Sequence, residues 1–288
     1  MLMLKNARKS IGSIQTMNGG NLCLEVGENG TQEMYRQRHI LLPGLDIMKY
    51  RNAFARTPVF DINSYKATNI ETKGYWVDKP IDEIPSSLVI DSNIYSNVGK
   101  NSKIIDLGCG SCFTLLHLEK HGYRNLYGID INKNIIEYAR NNFNGSNIKV
   151  LNYDITDNKL ESNTFDYAIL EALITVLVDN NSIYMALCET YRILKKGGTI
   201  QIDDFCQNWH NDLYQKRYLS GEKELGIDGA FVVYGTSNKI RYLARHISMR
   251  DLSIMLKDVG FGVVKFFTKD VVTQSGNKII GFSLFARK

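Results

Sequence analysis

The 288-residue sequence predicts an α/β protein: a doubly wound, mainly parallel, seven-stranded sheet that ends in an antiparallel C-terminal hairpin. Three observations predict it. From about residue 103 to 205, short apolar runs alternate with amphipathic segments, the pattern of parallel βαβ units whose strands are covered on both faces. The first of those runs, "IIDLGCGSCF" at 104–113, stops on an acid and breaks into small residues, at the place where an open parallel sheet has its ligand crevice. The last two runs, "FGVVKFFTKDVV" and "KIIGFSLFARK", flank the turn signal "SGNK" with no helix between them, so they pair antiparallel.

The elements follow in order. "KIIDLG" reads as a buried strand and "TLLHLEKHG" as a helix, with Lys120 and His121 at its negative C-terminal end and Gly122 as its stop. "NLYGIDI" is a second strand, and Asn132 caps the helix "KNIIEYARNN", whose Ile135, Ile136 and Ala139 share one face. Strands "NIKVLNYDI" and "FDYAILEAL" come next, then the helix "SIYMALCETYRILKK" closed by Gly197 and Gly198, then strand "TIQIDDF". Ser248 caps the helix "MRDLSIMLKDVG". The stretch from Phe205 to Ile247 is too long for a structureless loop. Within it "AFVVYG" and "KIRYLARH" read as two short strands around "TSN", so residues about 206–246 are expected to form a cap inserted over the C-terminal edge of the sheet. Residues 1–85 hold all four prolines (Pro43, Pro58, Pro80, Pro85) and much of the aromatic weight. They are read as an N-terminal extension serving as a substrate lid, with residues 86–288 as the main domain.

Composition bounds the function. Apolar residues make up 44% and charged residues 23% of the chain, ordinary for one large globular domain. The start, "MLMLKNARKSIG", has too short an apolar run for a secretory signal, and no later stretch approaches 18 uncharged apolar residues; a cytoplasmic protein with no membrane partner is expected. Five cysteines, an odd number, agree with a reducing compartment. A net charge of +5 is mild and shows no dense basic stripe, which makes nucleic acid an unlikely partner.

The turn after Asp106 admits several ligands in principle. Gly108 and Gly110 allow a sharp bend and close approach, and the N–H groups at the start of the next helix favour a negative group. A dinucleotide turn needs G-x-G-x-x-G, but Phe113 holds the third glycine's place. A P-loop is excluded because no Gly-Lys-Ser/Thr follows. Cys109 and Cys112 form a C-x-x-C pair. A thioredoxin-like site would want a facing proline, and none occurs after Pro85. Zinc would want two further ligands at suitable spacing. The pair is therefore read as two small residues in a tight turn, and no metal is expected.

"IIDLGCGSC" resembles the first motif of the class I S-adenosylmethionine-dependent methyltransferases, and the resemblance extends over roughly residues 85–288. It implies a Rossmann-like fold, S-adenosyl-L-methionine as cofactor, and Asp106, Gly108, Cys109 and Gly110 at its methionine part. The family often has a third glycine where this chain has Cys112. Asp130, with Ile131 beside it, ends the second strand, where a carboxylate can accept both hydrogens of a ribose diol. By the same resemblance Asp154 would accept from the adenine amino group, Ile155 would pack on the ring, and Glu171 and Ala172 would lie beside the sulfonium. "ETYRILKKGGTI" resembles the helix and turn before the family's fifth strand.

Methyl transfer from a sulfonium is an in-line displacement that rewards alignment and exclusion of water. An oxygen acceptor wants a general base, whereas an amine mainly needs to arrive unprotonated. The candidates for that base are His210, first, then Asp204 and His246; Asp203 stands beside them in "IDDFCQNWHNDLY". Each has a plain alternative as a surface or structural residue. Tyr75 and Trp76 are candidates to close over cofactor or substrate, and Lys49, Arg51 and Arg56 in "KYRNAFAR" could hold an anionic substrate group or form a solvated basic face. The acceptor is expected to be a small molecule, with oxygen slightly favoured over nitrogen. The alternatives are an RNA or protein methyltransferase, or a noncatalytic cofactor-binding partner subunit; the signature expected for amino groups on bases is absent, the chain reading "LEAL" after its fourth strand.

Overall fold

A computed structural model describes residues 16–17, 21–24, 74–77 and 98–288, except 144, 235–239 and 274–275. Lys49, Arg51, Arg56 and most of the 1–85 extension lie outside the described residues. In chain order the elements are β1 (Thr16–Met17), β2 (Asn21–Leu24), α1 (Gly74–Val77), β3 (Lys103–Leu107), α2 (Phe113–Lys120), β4 (Asn125–Asp130), α3 (Lys133–Asn142) and β5 (Ile148–Asn152). A 3₁₀ turn (Ile155–Asp157) leads to β6 (Phe165–Glu171), α4 (Ile174–Leu177), α5 (Asn180–Ile193), β7 (Leu194–Phe205) and α6 (Asp212–Leu225). The chain closes with β8 (Ala230–Tyr234), β9 (Ile240–Arg245), α7 (Met249–Val259), β10 (Gly262–Val272) and β11 (Lys278–Arg287).

The main sheet runs β5-β4-β3-β6-β7-β11-β10, and the short β2 and β1 extend it past β10. β5 through β7 pair in parallel, while β11 is antiparallel to both β7 and β10. This is the expected parallel sheet with a reversed terminal hairpin. Side-chain alternation explains its two cores: Ile105 and Leu107 face one apolar cluster with α5 and α7, and Ile104 faces the other with Leu115, Leu118 and Ile135. The order changes direction at β3, whose neighbours are β4 and β6. A crevice at the carboxyl ends of these strands is the consequence.

Three boundaries differ from the sequence expectation. The helix expected to reach Lys196 ends at Ile193, and β7 already begins at Leu194. Leu194 is extended and fully buried, and Lys195 reaches Asp166 on the neighbouring strand at 2.7 Å. Lys288 Nζ donates to the carbonyls of Tyr191 (2.7 Å) and Leu194 (2.8 Å), placing a cation at the helix's C-terminal end. β5 stops at Asn152, because Asp154 accepts from Thr156 N and Oγ1 (2.9 and 2.8 Å) and turns the chain. β6 stops at Glu171, because Ala172 has φ +50° and leaves the extended conformation.

The inserted segment forms α6 and the antiparallel β8–β9 pair, a separate two-stranded sheet. Its own apolar cluster joins Trp209, Tyr214, Tyr218 and Phe231 to Phe205 and Ile279 of the main sheet.

Candidate active site

A cavity of about 410 Å³ opens at the carboxyl ends of β3, β4 and β6 and is walled on its other side by α6, β8 and β9. That volume falls in the ~300–1,000 Å³ range of small-molecule sites. Of the residues expected at the cofactor, Asp106, Gly108, Cys109, Gly110, Asp130, Ile131, Asp154, Ile155, Glu171 and Ala172 all line it.

The first wall is the turn after β3. Gly108 N and Cys109 N both donate to Ile129 O (2.8 and 3.0 Å), which ties the turn to β4. Gly108 has φ +80°, and a Cβ there would stand 2.8 Å from Leu173 Cδ1. Cys112, at the position where the family often has glycine, has φ +60°. The conformation that glycine would take without strain is thus kept by a fully buried cysteine. Its Sγ lies 3.6 Å from Cys109 Sγ, and both are free thiols. The hydrogen bond with the facing Cys112 thiol, then burial, hold Cys109 well above its usual pKa, the opposite of a reactive redox cysteine. No cluster of metal-ligating side chains occurs among the described residues.

Asp130 organises the second wall. Its Oδ2 accepts from Gly110 N (3.0 Å) and its Oδ1 from Asn132 N (2.9 Å). Asn132 in turn caps α3, accepting from Asn134 N at 2.9 Å. Burial raises the Asp130 pKa against the lowering effect of these N–H groups. Asp106 is raised well above its usual value, first by burial and then by the charges of Glu171 and Asp130. Glu171, held by Thr114 Oγ1 at 2.6 Å, is pushed to about 7 by burial. Three carboxylates that crowd one another call for a cationic ligand.

The expected bases fall differently. His246 lines the cavity, with burial lowering its pKa to about 3. Asp204 does not line it. Its carboxylate is buried behind the wall and accepts from Thr175 N (3.0 Å) and Phe205 N (2.8 Å). Asp203 is likewise buried, bonded to Lys269, Ser283 and Gln201. His210 is exposed, on the turn before α6, and does not line the cavity; Asn211 beside it caps α6.

The sequence reading singled out neither Thr114 nor the cap residues Tyr214, Arg217, Phe231, Tyr234 and Tyr242. The spacing of Tyr214, Arg217 and Tyr218 on one helical turn was the available signal. Trp76, which it did consider, is half-buried in the wall, 5.4 Å from the Tyr242 ring. Nothing is described of the Tyr75 side chain.

Residues 104–198 match the methyltransferase domain family. Among curated proteins, the phosphoethanolamine N-methyltransferase of Plasmodium falciparum is 29% identical over 133 residues, 44% of this chain and 48% of that protein. The EEF1A lysine methyltransferase 2 of Danio rerio is 34% identical over 61 residues, 21% of this chain and 26% of that protein. The chain thus spans less than half the length of each. A solved S-adenosylmethionine-dependent methyltransferase from Methanosarcina mazei has a TM-score of 0.67 at 29% identity, covering 70% of this chain and 99% of that one. No helix among the described residues is long and apolar enough to cross a membrane.

The wall suits the family's cofactor. The carboxylates that line the cavity suit a ligand carrying a sulfonium and an ammonium, and a side chain at Gly108 would collide with Leu173, another lining residue. The domain built on β3 to β7 is a class I, S-adenosylmethionine-dependent methyltransferase domain.

Proposed function

We propose that this protein transfers a methyl group to an amine nitrogen of a small acceptor that also carries an anionic group. The observation that carries this reading is Arg217. Its guanidinium is half-buried in the cavity wall, with Cζ 5.0 Å from the Tyr214 ring and 5.6 Å from the Phe231 ring. Among the described residues no carboxylate pairs with it. A half-buried guanidinium with no carboxylate partner among the described residues suits a carboxylate or phosphate, which it can grip with two parallel hydrogen bonds. The cavity is thus acidic at the strand ends and basic under the cap.

S-Adenosylmethionine supplies, when bound, an electrophilic methyl group on a positively charged sulfur. Asp130 holds the turn at Gly110 and the cap of α3 in one geometry, and by its position it is assigned the ribose diol. Asp106, Gly108, Cys109 and Gly110 are assigned the methionine part, Asp154 and Ile155 the adenine, and Glu171 and Ala172 the sulfonium. Trp76, Phe231 and Tyr242 cover the chamber, which favours exclusion of water and alignment of the acceptor.

Nitrogen replaces the oxygen that the sequence slightly favoured because none of the three bases expected from the sequence is free to serve an oxygen acceptor. Asp204 faces backbone N–H groups, His210 lies outside, and His246 Nδ1 is already bonded to Tyr218 at 2.6 Å. An amine acceptor keeps a positive charge after transfer, which Glu171 and Asp106 stabilise. The curated relative from Plasmodium falciparum, by its name, methylates nitrogen on an amine that bears a phosphate, which supports this class.

The test is incubation with methyl-labelled S-adenosylmethionine and phosphoethanolamine, with a parallel incubation in host extract split into small-molecule, RNA and protein fractions. Label in an anionic amine of the small-molecule fraction is expected. Label confined to protein or RNA would overturn the small-acceptor reading, and tight cofactor binding with no label anywhere would point to a noncatalytic subunit.

A further inference from the structure

His246 was a candidate base, yet its surroundings assign it another task. The ring is wedged between Phe205 (centroids 5.3 Å, planes 28° apart) and Tyr214 (5.0 Å, 27°), with Phe231 edge-on at 5.0 Å. It is 3% exposed. Its backbone is pinned as well: His246 N donates to Gly229 O at 3.0 Å, and a Cβ on Gly229, which has φ +75°, would stand 2.2 Å from His246 O. The ring has no room to turn over.

The hydrogen-bond chain behind the ring decides where its proton sits. Asn208 N, which can only donate, reaches Tyr218 Oη at 3.1 Å, and Tyr218 Oη lies 2.6 Å from His246 Nδ1. The Tyr218 hydroxyl therefore accepts from Asn208. It is fully buried and has one hydrogen left to donate. Nδ1 is the acceptor available to it, and if Nδ1 carried a proton instead, that hydroxyl hydrogen would be buried without a partner, at the desolvation cost such a group carries. Nδ1 thus accepts, and a neutral imidazole must hold its proton on Nε2. Burial, then the charge of Arg217, keep the imidazole neutral.

Nε2 makes no hydrogen bond to the described residues, among which the buried side-chain atoms without a partner are Asn158 Nδ2 and Asp251 Oδ1. Nε2 is therefore open to the cavity that His246 lines. We infer that His246 is a fixed, neutral Nε2–H donor to the anionic group of the acceptor, set in that tautomer by Tyr218 as a positioning residue, and is not a general base. This inference rests on the acceptor class proposed above. It assigns Arg217 and His246 to the same end of the substrate, one as charge and one as directed donor.

The test uses the whole protein with ¹⁵N-histidine, bound to S-adenosylhomocysteine, and long-range ¹H–¹⁵N correlation assigned with His246→Gln. The Nε2–H tautomer is expected, unchanged from about pH 5.5 to 8.5. Among the described residues, the charged and titratable groups about the ring and its Tyr218 partner are Arg217, Tyr214, Tyr218, Cys206 and Asp228. An Nδ1–H tautomer, or a ring that titrates near neutrality, overturns the inference. Tyr218→Phe should produce a mixture of tautomers, a readout that a merely structural tyrosine would not move; an unmixed Nε2–H signal in that variant removes Tyr218 as the positioning residue.

Inorganic phosphate and phosphoethanolamine are then titrated calorimetrically. His246→Gln, whose amide can donate but cannot take up a proton, should bind phosphoethanolamine within about threefold of the unaltered protein, and His246→Ala should lose tenfold or more. Equal losses in both variants, or none in either, overturn the donor role. Failure of the unaltered protein to bind either probe, with the Nε2–H tautomer intact, overturns the anionic-acceptor reading and the ligand assigned to His246, and leaves standing the tautomer set by Tyr218.

Discussion

Asp130→Ala is the perturbation that reaches furthest into the proposed site. The carboxylate does two things at once: it accepts Gly110 N and Asn132 N at 3.0 and 2.9 Å, and it faces the cavity where a diol would be held. A hydrogen bond to a charged group contributes roughly 1.5–3 kcal/mol. Losing the ligand's bonds alone therefore weakens binding about 10- to 100-fold, each 1.4 kcal/mol being tenfold. The two backbone donors face a cavity that water can enter, so the cost to stability is smaller, about 1–2 kcal/mol. Asp130→Asn keeps one acceptor oxygen but turns an N–H₂ toward one of the two donors, so its affinity should fall between the other two proteins. Calorimetry with S-adenosylhomocysteine, alongside urea denaturation of each variant, separates the two effects. Affinity unchanged in a folded Asp130→Ala protein would refute the ribose assignment.

The remaining expectations address other walls. Arg217→Gln should raise the acceptor KM tenfold or more while leaving S-adenosylhomocysteine affinity intact, and Arg217→Lys should be intermediate because it loses the two-pronged grip; steady-state kinetics with both substrates varied checks this, and a KM unmoved by either variant removes the anion anchor. His210→Ala should leave turnover within about twofold, since the ring lies outside the cavity; a large loss in kcat would return it to the chemistry. Gly108→Ala should lower stability by about 1–2 kcal/mol from the left-handed backbone alone, with weaker cofactor binding as Leu173 gives way; an unchanged denaturation midpoint contradicts it. Glu171 and Asp204 are each raised to about 7, both first by burial. A folded state that holds protons the unfolded chain has already released loses stability as pH rises, so the contribution of these two acids should decline from about pH 4 to 7. Glu171→Gln should flatten that decline in urea midpoints measured across the window, and identical slopes in both proteins would show that the acid is not buried as described.

Hydrophobic period and turn chemistry determined most of the fold from the chain alone. The alternating runs, the Asn132 and Ser248 caps, and the glycine-punctuated ends are local signals, each decided within about ten residues. So is the placement of Asp106, Asp130, Asp154 and Glu171, because a parallel sheet brings its strand ends to one edge whatever covers it. Boundaries set by distant partners were not legible. Leu194 leaves its helix for a place in the core, and Lys288, nearly a hundred residues on, caps that helix. Nor could the sequence rank its histidines. His210 and His246 are both polar loop residues on paper; only the packing of α6 and β9 against β7 puts one in water and sandwiches the other between Phe205 and Tyr214. Arg217 reads as an ordinary solvated helix charge until the cap's folding sets it against Tyr214 in the cavity wall, and what a charge does depends on which groups tertiary contact leaves facing it.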